Sequence, residues 1–300
     1  LMLTDMQIAV LGGDARQLEI VKRLAELDAK LYLIGFEQLA QVISGAVKEK
    51  LKDVDFSKID AVILPVKGTN LDGEVETIFS NENIILTEQT LQETPSHCKI
   101  YSGISNPYLD KLVKKADREL IQLFKRDDVA IYNSIPTVEG TVMMAIQNTD
   151  ITIHQSSVAV LGLGRVGMSV ARTFSLLGAN VKVGARSLAH LARITEMGLK
   201  PFHLENLKDE VKDLDICINT IPHLVLTAGI IAGMPTNTLI IDLASKPGGT
   251  DFRYAEKRGV KALLAPSLPG IVAPKTAGQI LANILSQLLS EDFENRKENS

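Results

Sequence analysis

The sequence predicts an α/β protein built as two Rossmann-like, doubly wound domains with mainly parallel sheets. Three observations predict it. Apolar runs of four or five residues alternate with helical apolar spacing along the chain, as the β-α units of parallel sheets require. One unit carries Gly162-Leu163-Gly164-Arg165-Val166-Gly167 between an apolar run and a helical pattern, with another apolar run at 180–184. The length of 300 residues suits two domains of ordinary size. The expected division is 1–150, closing on a linking helix at about 138–149, and 151–300, closing on a helix at about 275–290 and a frayed tail. The cleft between the domains is the expected ligand site.

Taken in order, Gln7–Leu11 reads as a buried strand running into Gly12-Gly13-Asp14, and 15–27 shows helical spacing. Gly-Gly-Asp falls short of the dinucleotide fingerprint, so this turn is not assigned a cofactor, and Asp14 is a candidate helix cap. Arg16 in the first helical turn is unusual, because the positive end of the helix dipole disfavours a cation there. A bound anion would account for it; so would simple solvation. Strands are expected at 30–35, 61–65, 83–86 and 99–102, with short helices at 37–44 and 88–93. The segment 106–123 carries an amphipathic stripe of Leu109, Leu112, Val113, Ala116, Leu120 and Leu123, and is expected to be helical.

Ala130–Asn133 reads as a short strand, and Pro136-Thr137 as the start of a helix, with Thr137 as its cap. Asn133, Ser134 and Thr137 would then face the cleft. Glu139 in a first helical turn suits the dipole and is also the candidate general base. In the second half, strands ending in Asn219-Thr220-Ile221-Pro222 and Ala244-Ser245-Lys246 bring polar groups to the carboxyl ends of the sheet, where open α/β sheets bind ligands. Lys275 opens the last helix.

The fingerprint has a physical logic. Gly162 permits a tight turn, Gly164 lets the backbone approach a pyrophosphate, and Gly167 lets helix and strand pack closely. The helix start then offers N–H groups and a positive dipole end to phosphate. The alternative is a tight strand–helix turn with no ligand. An NAD site usually carries Asp or Glu at the end of the next strand; here stand Ala185-Arg186-Ser187. With no carboxylate to repel it, a 2′-phosphate is matched by the planar guanidinium of Arg186 and the hydroxyl of Ser187, which points to NADP.

Composition excludes other classes. A net charge of −4 leaves no basic footprint for nucleic acid. No apolar run has the length of a membrane span, and the N-terminal residues lack the basic start and apolar core of a signal peptide. Cys98 and Cys217 have no paired spacing, and His97, His154, His190, His203 and His223 no metal spacing. A reduced, cytoplasmic protein without a metal is expected.

Gly12–Gln17, Tyr132–Gly140, Val160–Arg165, Val181–Ser187, Asp242–Ser245 and Ala265–Gly278 together resemble, over nearly the whole chain, the dipicolinate synthase A-subunit family of endospore-forming bacteria. The resemblance implies two Rossmann-like domains and a branch of the diaminopimelate/lysine pathway active in sporulation. It also implies a partner, the flavoprotein-like B subunit of dipicolinate synthase, in the mother-cell cytoplasm. The implied reaction oxidises dihydrodipicolinate, or its hydroxylated tetrahydro precursor, to dipicolinate. Arg16, Lys246 and Lys275 are then candidate partners of the substrate carboxylates, Asn133, Ser134 and Thr137 neutral donors, and Glu139 and Lys246 the candidate catalytic groups. Two alternatives compete: a D-2-hydroxyacid-dehydrogenase-like enzyme, for which no His with a carboxylate partner stands out, and an NADP-binding scaffold or sensor without catalysis.

Overall fold

The computed structural model describes residues 1–300. In chain order its elements are β1 (Gln7–Leu11), α1 (Ala15–Glu26), β2 (Lys30–Ile34), β3 (Ala46–Glu49), β4 (Ala61–Ile63), β5 (Glu74–Val75), β6 (Ile84–Ile85), α2 (Glu88–Glu93), β7 (Lys99–Ser102), α3 (Pro107–Lys115), β8 (Glu119–Gln122) and α4 (Asp127–Gln147). There follow β9 (Ser157–Leu161), α5 (Arg165–Leu176), β10 (Asn180–Ala185), α6 (Leu188–Glu196), β11 (Lys200–His203), α7 (Leu207–Glu210), β12 (Ile216–Asn219), α8 (Ala228–Ile231), β13 (Leu239–Asp242), α9 (Phe252–Arg258), β14 (Lys261–Leu264), α10 (Leu268–Val272) and α11 (Pro274–Glu298).

The chain forms two compact units, Leu1–Ala130 with Ala273–Ser300, and Ile131–Val272. Each holds a six-stranded parallel sheet of the same order, β3-β2-β1-β4-β7-β8 in the first and β11-β10-β9-β12-β13-β14 in the second. The chain reverses its direction of travel between β1 and β4 and between β9 and β12, the switch points beyond which such sheets bind ligands. The central strands are apolar throughout because helices and loops cover both faces; Ile8, Val10 and Ile63 pack on one side of the first sheet, Ala9, Leu11 and Val62 on the other. Val158 and Val160 against Ala159 and Leu161 repeat that division in the second.

Four expectations are corrected. Residues 37–44 form no helix: the Gln38 amide donates to Phe79 O at 2.7 Å, and the Phe36 and Phe79 rings stack at 5.2 Å, so the segment is held as a loop. The stripe 106–123 is split. α3 stops at Lys115, Asp117 takes a left-handed φ of 55°, and Leu120 pairs with Ile100 as part of β8. The spacing of Leu120 and Leu123 matches a helix by coincidence.

Residues 130–137 are neither strand nor helix start. α4 is one continuous helix with Pro136 inside it. The proline removes one intrahelical bond. Thr137 Oγ1 donates to Asn133 O at 2.9 Å instead of capping, and Val138 and Ala145 bury their side of the helix in the second unit's core. A β-carbon on Gly140 would stand 2.9 Å from Leu268 Cβ, so α10 lies directly against this turn of α4. Tertiary packing overrides the local proline signal.

Finally, the chain end does not fray at 290. α11 continues to Glu298, with Leu281, Ala282, Leu285 and Leu289 in the core shared with Ile20, Val21 and Leu24 of α1. Lys99 Nζ–Asp292 Oδ1 at 2.9 Å and Arg296 Nη1–Asp60 Oδ1 at 3.3 Å secure its last turns. By its packing α11 therefore belongs with the first unit, and Ile131–Gln147 of α4 with the second.

Candidate functional site

The carboxyl edge of the second sheet gathers the fingerprint and the loops after β10, β12 and β13. Gly162 has φ +97°, and a β-carbon there would lie 2.5 Å from Thr220 Oγ1; the turn admits no side chain. Gly167 packs so closely that its β-carbon would meet Gly162 O at 2.1 Å. Gly164 differs: nothing lies within 4 Å of its β-carbon position. It is the N-cap of α5 and supplies no side-chain cap bond, so the start of α5 faces open space. Leu163 is buried and Val166 half-buried beneath this turn.

The corresponding turn of the first unit is closed. Gly13 N donates to Glu76 O at 2.8 Å, Ile78 N donates to Gly13 O at 3.0 Å, and the Asp14 carboxylate caps α1 by accepting from Arg16 N. A neighbouring stretch of chain and an acidic cap occupy the donors that a pyrophosphate would need. The donors of the first turn are taken, whereas the β-carbon position of Gly164 in the second is open.

β10 ends in buried Ala185, and Arg186 and Ser187 beyond it are exposed. Ser187 Oγ accepts from His190 N at 3.0 Å, capping α6, and its own proton remains available. Arg186 has no hydrogen-bond or ion-pair partner. An open glycine cap, an unpaired guanidinium and no carboxylate at the strand end fit a phosphorylated dinucleotide.

The loops after β12 and β13 are joined by a buried network. Asp242, fully buried, accepts from Asn219 Nδ2 at 3.1 Å, Ala244 N at 3.0 Å, Gly249 N at 2.8 Å and Thr250 Oγ1 at 2.7 Å. Asn219 also donates to Ile221 O and accepts from Ile221 N, while Thr220 Oγ1 donates to Leu161 O at 2.6 Å. Asn219 and Thr220 thus shape the edge; their side-chain donors are engaged within the unit. Buried Ala244, half-buried Ile221 and exposed Pro222, Ser245 and Lys246 line that edge. Asp242 is absent from the site residues expected from sequence. Its signals there are an acid closing the otherwise apolar run Leu239-Ile-Ile and its place in the resembling stretch Asp242–Ser245.

Arg16 is placed differently from expectation. It is buried, and its guanidinium is held by its own neighbour: Nε and Nη2 donate to Asp14 Oδ1 and Oδ2 at 3.0 and 2.8 Å. The cation at the helix start is balanced by the cap residue, so it requires no bound anion. Burial pushes the Asp14 carboxyl pKa up, but the hydrogen bonds and charge of Arg16, joined by the charge of Lys67, outweigh burial and hold it below its ordinary value. Lys275 is exposed in the first turn of α11, in the same unit.

Asn133, Ser134, Thr137 and Glu139 lie in the middle of α4 and in the second unit. Ser134 is 2% exposed; its hydroxyl lies 2.6 Å from Ile131 O and 2.9 Å from Ser169 Oγ of α5. Glu139 is exposed and Asn133 half-buried. No group of three His, Cys, Asp or Glu residues has the geometry to hold a metal, no helix is long and apolar enough to cross a membrane, and both cysteines are unpaired and buried.

Comparison with known proteins divides the chain between residues 124 and 130, close to the boundary at Ala130, but keeps α11 with the second half in sequence although it packs in the first unit. Residues 7–124 match the family model of the N-terminal domain of the dipicolinate synthase A subunit, and residues 130–299 match "Alanine dehydrogenase/PNT, C-terminal domain". The dipicolinate synthase A subunit of Bacillus subtilis (strain 168) is 64% identical over 97% of this chain and 98% of its own. The crystal structure of the dipicolinate synthase A subunit from Bacillus halodurans is 62% identical with a TM-score of 0.95, over 96% of this chain and 99% of that one. The crystal structure of the corresponding Bacillus subtilis polypeptide is 63% identical with a TM-score of 0.94, over 98% and 99%.

Proposed function

The chain belongs to the dipicolinate synthase A-subunit family, and on that premise we propose that it catalyses the NADP-dependent oxidation of dihydrodipicolinate, or its hydroxylated tetrahydro precursor, to dipicolinate. The observation that carries this reading is the contrast between the two turns: a cap at Gly164 that opens to space, with unpaired Arg186 on the next strand, against a first turn closed by Glu76, Ile78 and Asp14. Bound there, the nicotinamide supplies a two-electron acceptor. Everything else falls to this chain's residues. The amides at the start of α5 hold the pyrophosphate, and Arg186 and Ser187 hold the 2′-phosphate. The Asp242 network fixes the loops on which Thr220, Ser245 and Lys246 stand. That rigidity orders the reacting ring, and such positioning is a large source of acceleration when two bound groups react.

The substrate is a ring with two carboxylates. Arg16 and Lys275 are the proposed partners of its carboxylates; Asp14 fixes the plane of the Arg16 guanidinium, so its remaining N–H groups point in a set direction. Lys246 pairs with the substrate beside the cofactor. Glu139 takes the proton released as the ring aromatises, and Asn133 is a neutral donor to the carboxylates, while the Thr137 hydroxyl is engaged with Asn133 O. Oxidation of the dihydro compound would release one hydride equivalent, for which bound NADP⁺ would be the acceptor, and one proton to the base; the hydroxylated precursor would first lose water. Ser134 supports α4 against α5 through Ser169. The flavoprotein-like B subunit is the proposed partner, and the cytoplasm of the mother cell the proposed location.

The test is product formation from enzymatically generated precursor and NADP⁺, by purified chain with and without the B subunit. NADPH absorbance and dipicolinate should rise together. Dipicolinate formed without any dependence on NADP⁺ would overturn the reading. So would NADPH binding with no turnover even when the partner is present, the behaviour of a scaffold.

A further inference from the structure

The geometry points to Lys67 as a carboxylate-binding residue of the first unit, completing a set of three cations with Arg16 and Lys275 that takes a dianionic ring. This rests on the proposed function for the identity of the ring. Lys67 has no part in the reaction described above, and it makes no ion pair or hydrogen bond.

Its placement follows from the sheet. β1 and β4 are parallel neighbours, Val10 opposite Ile63, so the loops after them leave the same edge at the switch point. Arg16 stands on the loop–helix junction after β1, and Lys67 at the tip of the turn after β4. The turn is fixed: Gly68 N donates to Pro65 O at 2.9 Å and Ile104 N donates to Val66 O at 2.8 Å. Gly68 has φ +70°, and a β-carbon there would press within 2.9 Å of Leu109 Cδ2 and Ser102 Oγ, so only glycine allows the turn to seat against the β7 loop. A rigid turn thus presents an exposed lysine. The charge of Lys67 also reaches Asp14, where it reinforces Arg16 in favouring the ionised carboxylate.

Lys275 arrives at the same end from α11. A β-carbon on Gly278 would stand 2.7 Å from Arg16 O and 3.0 Å from Arg16 Cα, so the first turn of α11 lies against the first turn of α1. Lys275 sits one turn before that contact. Around these turns Arg16, Lys67, Lys275 and Lys22 set four cations against two carboxylates: Asp14, committed to Arg16 on both oxygens, and Glu19, which lies beside Gly278 and pairs with Lys22 at 3.8 Å. The excess of two positive charges matches a dicarboxylate and is more than a monocarboxylate needs. Exposed lysines are ordinarily solvated and worth little to stability, so the excess costs the free protein little and is available to a ligand.

The experiment uses the full chain, with the B subunit where turnover requires it. Calorimetric binding of pyridine-2,6-dicarboxylate and of pyridine-2-carboxylate, with KM, kcat and NADPH affinity, is measured for wild type, Lys67→Gln and Lys67→Arg. Lys67→Gln should weaken the dicarboxylate and raise KM about 10–100-fold, the scale of a hydrogen bond between charged groups. It should reduce the discrimination against the monocarboxylate, leave NADPH affinity unchanged, and be partly rescued by Lys67→Arg. Unchanged dicarboxylate affinity and KM in Lys67→Gln would overturn the assignment. Equal losses for the dicarboxylate and NADPH would overturn it too, because they would mark a general disturbance. If the wild type binds the dicarboxylate but does not reduce NADP⁺, the proposed reaction fails while the binding comparison still decides the role of Lys67. A wild type that binds no dicarboxylate overturns both.

Discussion

Replacing Gly164 by valine separates a cofactor cradle from a structural turn. The three fingerprint glycines make different demands. A side chain on Gly162 would strike Thr220 Oγ1 at 2.5 Å and need a left-handed backbone; one on Gly167 would strike Gly162 O at 2.1 Å. Substitution at either confounds binding with folding. At Gly164 the backbone is extended, with φ −83° and ψ −163°, and the β-carbon meets no atom within 4 Å. Valine is at ease in that region; the unfolded chain loses freedom, worth up to about 1 kcal/mol, while valine is a poorer N-cap than glycine by a similar amount, so the variant should lie within about 1 kcal/mol of wild type in stability. The side chain then fills the space through which phosphate reaches the amides of α5. Losing two charge-assisted hydrogen bonds of about 1.5 kcal/mol each predicts a loss of NADPH affinity of about 100-fold or more. Calorimetric titration gives the affinity and urea unfolding the stability. Normal NADPH affinity in a stable Gly164→Val protein would show that the open cap is not the pyrophosphate site.

Arg186→Ala should reduce the preference for NADPH over NADH by about 1.5–3 kcal/mol with no change in unfolding midpoint, because Arg186 is exposed and unpaired. Asp242→Asn should destabilise the second unit by about 2–4 kcal/mol in urea, since an amide cannot accept from both Gly249 N and Thr250 Oγ1 while its partner oxygen serves Asn219 and Ala244. Asp14 has a depressed carboxyl pKa in the folded protein. Its stabilising effect is therefore full above its unfolded pKa and lost as pH falls through the lower folded value. The stability gap between wild type and Asp14→Asn should be present at about pH 6 and shrink as pH falls below about 4, the ordinary carboxyl value; a gap that does not change with pH would contradict the pairing.

The sheets are legible in the sequence because buried parallel strands leave apolar runs, and Ile8–Leu11 and Val158–Leu161 can be read without knowing their neighbours. The short edge strands β3, β8 and β11 are not, since Val47 and Lys48 are exposed and an edge strand buries too little to leave a pattern. Pro136 misleads because the local signal, a proline before threonine, describes helix starts in general; whether a helix tolerates it depends on Val138, Gly140 and Ala145 packing on residues distant in sequence. The fingerprint glycines are readable one by one, as each answers a local demand of the turn. Arg16 reads correctly as unfavourable at a dipole, but neither account weighed for it, a bound anion or solvation, is its pairing with Asp14. Its partner, Asp14, shows in the sequence only as a cap, and a residue that caps and forms an ion pair at once leaves the same trace. Lys67 shows in the sequence only as part of the polar loop Val66-Lys67-Gly68-Thr69 at the carboxyl end of a strand, where ligands gather; nothing there reveals that its turn opens beside β1.

The most direct measurement is titration of the wild-type chain with NADPH and with NADH in parallel, reading stoichiometry as well as affinity. An open cap in one unit, a closed turn in the other and an unpaired Arg186 predict one NADPH per chain, bound more tightly than NADH. Equal affinities would contradict the assignment of Arg186 to a 2′-phosphate. Two molecules per chain would contradict the distinction between the two turns on which the placement of the cofactor rests.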